Sequence, residues 1–509
     1  MKRTIQNVLL GLVTTMFALL PVFSYAKDRV YSTDVVVIGA GGSGLSAAVS
    51  AAENGAKVIV LEKMPIAGGS TNYAEGLFAI GTKQLRDDGQ DISKPAFYKQ
   101  IMEYGHWRTD GALLRQFVDE SDKNIEWLEK NGVNFDAVKM SYADSPVWHL
   151  VKDYKTFHHG AALVNRLLDV CEEKGVKVMY ETPAKKLIYN NGVVKGVEGV
   201  DSKGNKVIIN SGSVIIATGG FPNSKEMIDK YTRFDSKKVV ADLPLQKNGD
   251  GINMAMEIGG AAEGWGLMTH QATAGPGVIP FGNLFTMTWQ PSLWVNKYGK
   301  RFVDESIVFS FVSTGNAVEH APDSFAWEIF DQETFDKYAE EDGIEAGIGV
   351  IIPIGTKLTN LQKEFEDSEK AGNPNAAMAN SIAELAAKIK VDPKILAETI
   401  KNYNSYKEYN LDKEFYTDPK WIMPVKKGKF YAIKIVPQAY VSLGGIKVDS
   451  KMRALDANDK EIKGLYVVGC DVGGLYGDTY TLFASGSAFG FAAYSGRVAG
   501  ADAALQTSK

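Results

Sequence analysis

The chain has 509 residues, 45% of them hydrophobic and 23% charged, with a formal net charge of -5. That length exceeds what a single core serves, so two or more domains are expected, and the composition excludes disordered, collagen-like and low-complexity classes. The acidic balance argues against nucleic acid or an anionic membrane surface as partner, and two cysteines, Cys171 and Cys470, can hold neither an iron–sulfur cluster nor a disulfide framework.

Lys2 and Arg3 precede an apolar run from Val8 to Leu20, broken by Pro21, and Ser24-Tyr25-Ala26 places small residues at the -3 and -1 positions of a cleavage site. This reads as a secretory signal over residues 1–26, cut after Ala26, in preference to an uncleaved anchor, for which the run is short. Its removal takes two positive charges with it and leaves a formal charge of -7. A periplasmic protein with no stable membrane insertion after cleavage is expected. No Cys-x-x-Cys-His occurs, so the chain attaches no c-type haem of its own.

Asp34-Val35-Val36-Val37-Ile38 predicts a buried strand, and Gly39-Ala40-Gly41-Gly42-Ser43-Gly44 follows at once. A small-residue helix from Leu45 to Asn54, a cap at Gly55 and a second strand, Lys57 to Leu61, complete the unit, with Glu62 at its end. The pattern is that of a dinucleotide site. Gly39 makes the tight turn, Gly41 admits a pyrophosphate at the helix N-terminus, and Gly44 lets helix and strand lie close. Glu62 can then accept a ribose hydroxyl. A second glycine turn, Gly68-Gly69-Ser70, comes just beyond the acid and points to FAD rather than NAD. Further along, Val176 to Ile216 alternates β runs with turns and predicts a small antiparallel insert. Ile382 to Tyr409 reads as a helix pair broken at Asp392-Pro393. Strands return over Phe430 to Val448 and Gly464 to Gly469.

With these stretches the sequence resembles the FAD-dependent fumarate reductase and succinate dehydrogenase flavoprotein family, nearest its soluble periplasmic, flavocytochrome c-like branch without the haem domain. "ATGGFPNSKEMIDKY" (217–231), "KNGDGINMAMEIGG" (247–260), "VNKYGKRFVDES" (295–306), "GLYVVGCDVGG" (464–474) and the helical "IAELAAKIKVDPKILAETIKNYNSY" (382–406) carry the resemblance over nearly the whole mature chain. It implies an α/β (α+β) fold. A two-segment Rossmann-like FAD-binding domain, residues 27–264 and 431–509, would carry an inserted capping domain at 265–430. It implies reduction of an activated C=C bond with electrons from a separate c-type cytochrome. Two other readings remain open: an FAD-dependent dehydrogenase of the ketosteroid type, and a non-catalytic flavin electron carrier.

The expected cofactor contacts are Gly41, Ser43, Gly44, Glu62, Lys63, Gly69, Ser70, Ala217, Gly219, Asp250, Asp471, Ser485 and Ser487. Small residues from Ser485 to Gly500 would let backbone N–H groups meet the flavin. No histidine stands near Gly69 to Asn72, where the membrane-bound relatives attach flavin covalently, so non-covalent FAD is expected. The family's substrate arginines and one histidine are missing, and Phe309, Tyr440 and Tyr480 stand at the matching positions. His270 fits the capping-domain histidine. A dicarboxylate needs fixed cations, so a small unsaturated substrate with less charge, of acrylate, cinnamate or enone type, is expected, with Tyr480 or Tyr440 donating the proton. Arg301 and Glu305 are expected to pair and brace the cap, Cys470 to be a buried, inert thiol, and His158-His159 to bind no metal.

Overall fold

A computed structural model of the protein describes residues 28–136, 138, 146–241 and 245–507. The expected signal, with its cleavage after Ala26, lies outside them. Strand Arg29–Ile38 runs through the middle of an eight-stranded sheet, with Val58–Leu61 and Lys206–Ile216 parallel to it on either side. Val35, Val36 and Val37 are wholly buried, which is why this strand is an unbroken apolar run rather than an alternating one. Lys177–Met179 extends the sheet beyond Val58–Leu61. On the other side Glu461–Val467, from the far end of the chain, pairs parallel with Lys206–Ile216, so two remote segments build one floor.

The antiparallel run expected over 176–216 exists, but it is not a separate insert. Ala184–Asn190, Val193–Val200 and Lys206–Ile216 pair as hairpins. The last of them runs straight on into the main sheet, where Val214, Ile215 and Ile216 are wholly buried. The expected helix begins earlier, at Gly42, and ends at Glu53. The C-terminal helix, Ser487–Thr507, packs on it almost backbone to backbone. A Cβ built at Gly496 would sit 2.2 Å from the Ser43 carbonyl oxygen, and one at Gly500 2.3 Å from that of Ala47. The small residues of the tail therefore serve helix packing as well as the cofactor side.

The cap carries its own six-stranded sheet, and its spine is the 13-residue strand Phe430–Ser442. The first half of that strand pairs with Ala326–Asp331 and Ala376–Ala379, and the second half with Leu267–Ala272. The domain boundary expected at 430/431 is thus displaced: the strand that would open the second FAD segment is the middle of the cap sheet. The helix pair is Ile382–Ile389 and Pro393–Glu408, with Asp392 accepting from the Lys394 and Ile395 N–H groups across the break. Arg301 and Glu305 do pair. Two nearly linear contacts, Nη2–Oε2 at 2.6 Å and Nε–Oε1 at 2.9 Å, join them in the cap interior, with Asp412 as a second carboxylate at 3.0 Å. No helix among the described residues is long and apolar enough to cross a membrane.

Candidate active site

The glycine loop creates the first half of the site. Gly39 adopts φ +109°, and a Cβ there would lie 2.2 Å from the Ala217 carbonyl oxygen. At Gly44 a Cβ would lie 1.9 Å from the Gly39 carbonyl oxygen, so any side chain would lift the helix off the strand. The helix starting at Gly42 has no side-chain cap and no acid in its first turn, which leaves its N-terminus open to an anion. Glu62 is held by two backbone donors, Ala40 N–H to Oε2 and Met64 N–H to Oε1, both at 2.8 Å. Each oxygen keeps a lone pair for a ribose hydroxyl. Lys63 pairs with Asp250 at 2.7 Å across the same channel.

This channel, between the glycine loop, Gly68–Tyr73 and Ala217–Gly219, suits FAD. A Cβ at Gly41 would meet nothing but the Gly68 carbonyl oxygen, at 3.6 Å, so the loop leaves open the space that a pyrophosphate needs. The channel shares Ser70, Thr71, Tyr73, Cys470 and Ala492 with a second cavity, about 1300 Å³ including its open mouth, between floor and cap. That continuity fits a flavin lying where the two meet.

The second cavity is aromatic. Trp148, Phe281, Trp289, Phe311, Tyr440 and Tyr480 line it, with His270 and Glu75 among them. Its shape owes much to one irregularity. In the pairing of Leu267–Ala272 with Phe430–Ser442, Val441 faces Met268 and Ala439 faces Thr269, so Tyr440 is an extra residue in a β-bulge. Bulges re-aim side chains beside functional sites. Here Tyr440 meets the His270 ring edge-on, centroids 5.8 Å apart, and both rings line the cavity. Tyr480 stands at the start of the C-terminal helix, where its hydroxyl accepts from the Ala488 N–H at 3.3 Å.

Burial sets the protonation states. His270 is pushed down to about 4 by desolvation, so it is neutral at pH 7. Its Nδ1–H donates to the Gln271 carbonyl oxygen at 2.9 Å, which leaves Nε2 as an acceptor. Burial holds the Tyr480 hydroxyl above the ordinary tyrosine range and Glu75 above the ordinary carboxylate range. It also lifts the Cys470 thiol to about 11, an unreactive state. Among the described residues lining the aromatic cavity there is no lysine or arginine.

Of the residues singled out from the sequence, Gly41, Ser43, Glu62, Lys63, Gly69, Ser70, Ala217, Gly219 and Asp250 line the channel, and Ser485 lines the aromatic cavity. Three do not face either space. Gly44 is spent on helix packing. The fully buried Asp471 carboxylate is engaged by the backbone N–H groups of Thr218, Gly219 and Gly220, the last at 3.0 Å, so it braces the loop from behind. Ser487 turns to the Tyr476 hydroxyl at 3.3 Å. Phe309 also lies elsewhere: its ring packs on Trp421, centroids 4.5 Å apart, and Phe311, two residues on and starting the next helix, lines the cavity instead. His158 and His159 turn to different partners, Asp153 and the Val151 carbonyl. Sequence reasoning missed Glu75, Trp148, Trp289 and Lys247. Lys247 is a buried lysine on the channel wall that donates to Ser70 Oγ at 2.6 Å; it stands just before the Gly-Asp-Gly stretch, and that adjacency was its only signal.

A floor of two remote segments with a nucleotide channel, closed by an inserted cap over an aromatic cavity, is the architecture of a flavoprotein oxidoreductase. Comparison with known proteins agrees. The family described as FAD binding domain matches residues 34–486. A vinyl phenol reductase of Lactiplantibacillus plantarum is 33% identical over 485 residues, covering 94% of this chain and 97% of the relative. A cytochrome-type fumarate reductase of Shewanella frigidimarina is 27% identical over 493 residues, covering 94% of this chain and 78% of the relative. The open conformation of a flavocytochrome c3 fumarate reductase superposes with a TM-score of 0.73 at 26% identity, over 94% of this chain and 79% of that one. The chain belongs to the FAD-dependent fumarate reductase/succinate dehydrogenase flavoprotein family, and it is an FAD-dependent oxidoreductase acting on carbon–carbon double bonds.

Proposed function

We propose that the chain is an exported enzyme that saturates the activated double bond of an uncharged, aromatic-bodied alkene, on non-covalently held FAD, with electrons from a separate c-type cytochrome. The observation that carries the substrate class is the aromatic cavity with a neutral histidine and, among its described lining residues, no cation. A dicarboxylate buried there would lack a partner, at several kcal/mol per charge. The likeness to a vinyl phenol reductase supports the same class, and the likeness to cytochrome-linked fumarate reductases supports the donor.

FAD, when bound, supplies the hydride to the double bond. The chain's residues hold the cofactor and manage the proton. Glu62 and the helix at Gly42 receive its adenosine and pyrophosphate ends. Lys247 and the N-terminus of the helix at Ser487 put positive potential along the channel, which favours a reduced, anionic cofactor. Tyr480 stays protonated to high pH and so is competent to donate its hydroxyl proton to the carbon opposite the hydride. The Ala488 N–H then stabilises the phenolate left behind. His270 Nε2 accepts a hydrogen bond from a substrate hydroxyl and orients the ring. The aromatic walls keep water from the reacting carbons.

Purified protein, reduced anaerobically with a low-potential viologen, tests this against 4-vinylphenol, cinnamates, enones, acrylate and fumarate. Uncharged aryl alkenes should reoxidise it fastest. Fumarate as the best substrate, or rapid oxidation of NADH by the pure protein, would overturn the substrate or the donor assignment respectively.

A further inference from the structure

One acidic side chain faces the aromatic cavity and is not used by the reaction above. Glu75 belongs to the floor, between the Gly69–Tyr73 turn and strand Gly76–Phe78, and it lines the cavity. Its Oε1 accepts two backbone N–H groups of the cap, Val350 at 2.8 Å and Ile351 at 2.9 Å. It therefore spans the seam between the domains at the level of the substrate. The cap loop is fitted closely to it: a Cβ at Gly349, where φ is +55°, would lie 1.9 Å from Oε2. Charge-bearing groups facing it are few. His159, from the floor helix behind it, is a weak neighbour whose Nδ1 is occupied by the Val151 carbonyl.

We propose that Glu75 is the specificity residue that rejects carboxylate substrates, so that the enzyme takes the decarboxylated, neutral aryl alkene and refuses the corresponding aryl acrylate. This rests on the function proposed above and names its substrate class more narrowly. A carboxylate in the same low-dielectric cavity meets a fixed negative charge, and the cavity's described lining offers it no cation in return. A neutral phenol meets no such penalty and can donate its hydroxyl to His270 Nε2. Selectivity then comes from a repulsive element built against the wrong partner, and not from tighter contact with the right one. The two backbone bonds hold the carboxylate in place, which keeps the repulsion from relaxing by rotation.

The test compares 4-vinylphenol with 4-hydroxycinnamate, which share ring, hydroxyl and double bond and differ by one carboxylate. Flavin-loaded wild type should prefer vinylphenol in kcat/KM by about 100-fold or more, and Glu75→Gln should narrow that ratio by about 10-fold or more through faster hydroxycinnamate reduction, with vinylphenol changed less than about 3-fold. Gln keeps an oxygen for Val350 and Ile351. Glu75→Asp keeps the charge and should keep the ratio. Calorimetric binding of the saturated products, 4-ethylphenol and 4-hydroxyphenylpropionate, gives the same comparison without turnover. A wild type indifferent to the carboxylate, or an unchanged ratio in Glu75→Gln, overturns the proposal. Wild type that reduces neither alkene overturns the reductase reading instead, and the product-binding ratio still decides on Glu75.

Discussion

Replacing Tyr480 with Phe removes one hydroxyl and nothing else from the cavity wall. The ring stays against Tyr476, centroids 5.1 Å apart, so packing and substrate room are preserved. The folded state loses a single long hydrogen bond, from the Ala488 N–H at 3.3 Å, which costs about 0.5–1.5 kcal/mol and leaves the fold intact. The chemical step loses its proton donor, which costs about 10²–10⁴ in rate, or about 3–5 kcal/mol of barrier. The two effects separate in one anaerobic stopped-flow experiment. Reduction by dithionite should proceed as in wild type, and flavin reoxidation by 4-vinylphenol should slow at least a hundredfold. Tyr440→Phe should slow it less than tenfold, because the half-exposed Tyr440 has a mainly steric place beside His270. Reoxidation of Tyr480→Phe within threefold of wild type would refute the assignment and send the search for the donor to the cap.

Gly44→Ala forces a Cβ to 1.9 Å from the Gly39 carbonyl; the purified variant should carry little flavin, read from its 450 nm absorbance, and full occupancy would contradict the close-approach argument. Arg301→Ala leaves Glu305 and Asp412 facing each other in the cap interior and should cost about 3–5 kcal/mol in chemical denaturation; a loss below 1 kcal/mol would mean the cluster is not what braces the cap. His149 is buried with its Nε2 against Thr82 Oγ1 at 2.7 Å, and burial lowers it from the ordinary 6.5 to about 4. Between those values the unfolded chain binds a proton that the folded chain does not, so stability falls as pH drops from about 6.5 through about 4, by up to about 3 kcal/mol. His149→Gln should flatten the melting temperature against pH over that window, and an unchanged slope would contradict it.

What was legible in the sequence was local. Gly39 to Gly44, Glu62 and the Asp392-Pro393 break declare themselves because turn, ribose acid and helix cap act within a few residues of one another. What stayed hidden depends on contacts between remote segments. Glu75 and Trp148 reach the cavity through a short strand pair, Gly76–Phe78 with Trp148–Leu150, that no periodicity announces. Asp471 looks like a cofactor ligand in its motif, yet the backbone of Thr218 to Gly220, more than 250 residues earlier, consumes both its oxygens. Phe309 and Phe311 sit in one short segment, and only the helix start at Phe311 decides which ring turns inward.

The bulge at Tyr440 also bears on how such an enzyme changes its diet over evolutionary time. Strand side chains alternate with a period of two, so the extra residue is what lets Tyr440 and His270 share a face while the strand before it keeps its cap-core register. Deleting one residue between Ala439 and Val441 would heal the ladder and leave the cap core, anchored upstream at Phe430 to Ile435, in place. It would exchange the side chains offered to the substrate from that strand in one step. A lineage could thus trade one substrate for another by a single-codon deletion, where point mutations would have to cross several intermediates with a poorly formed site.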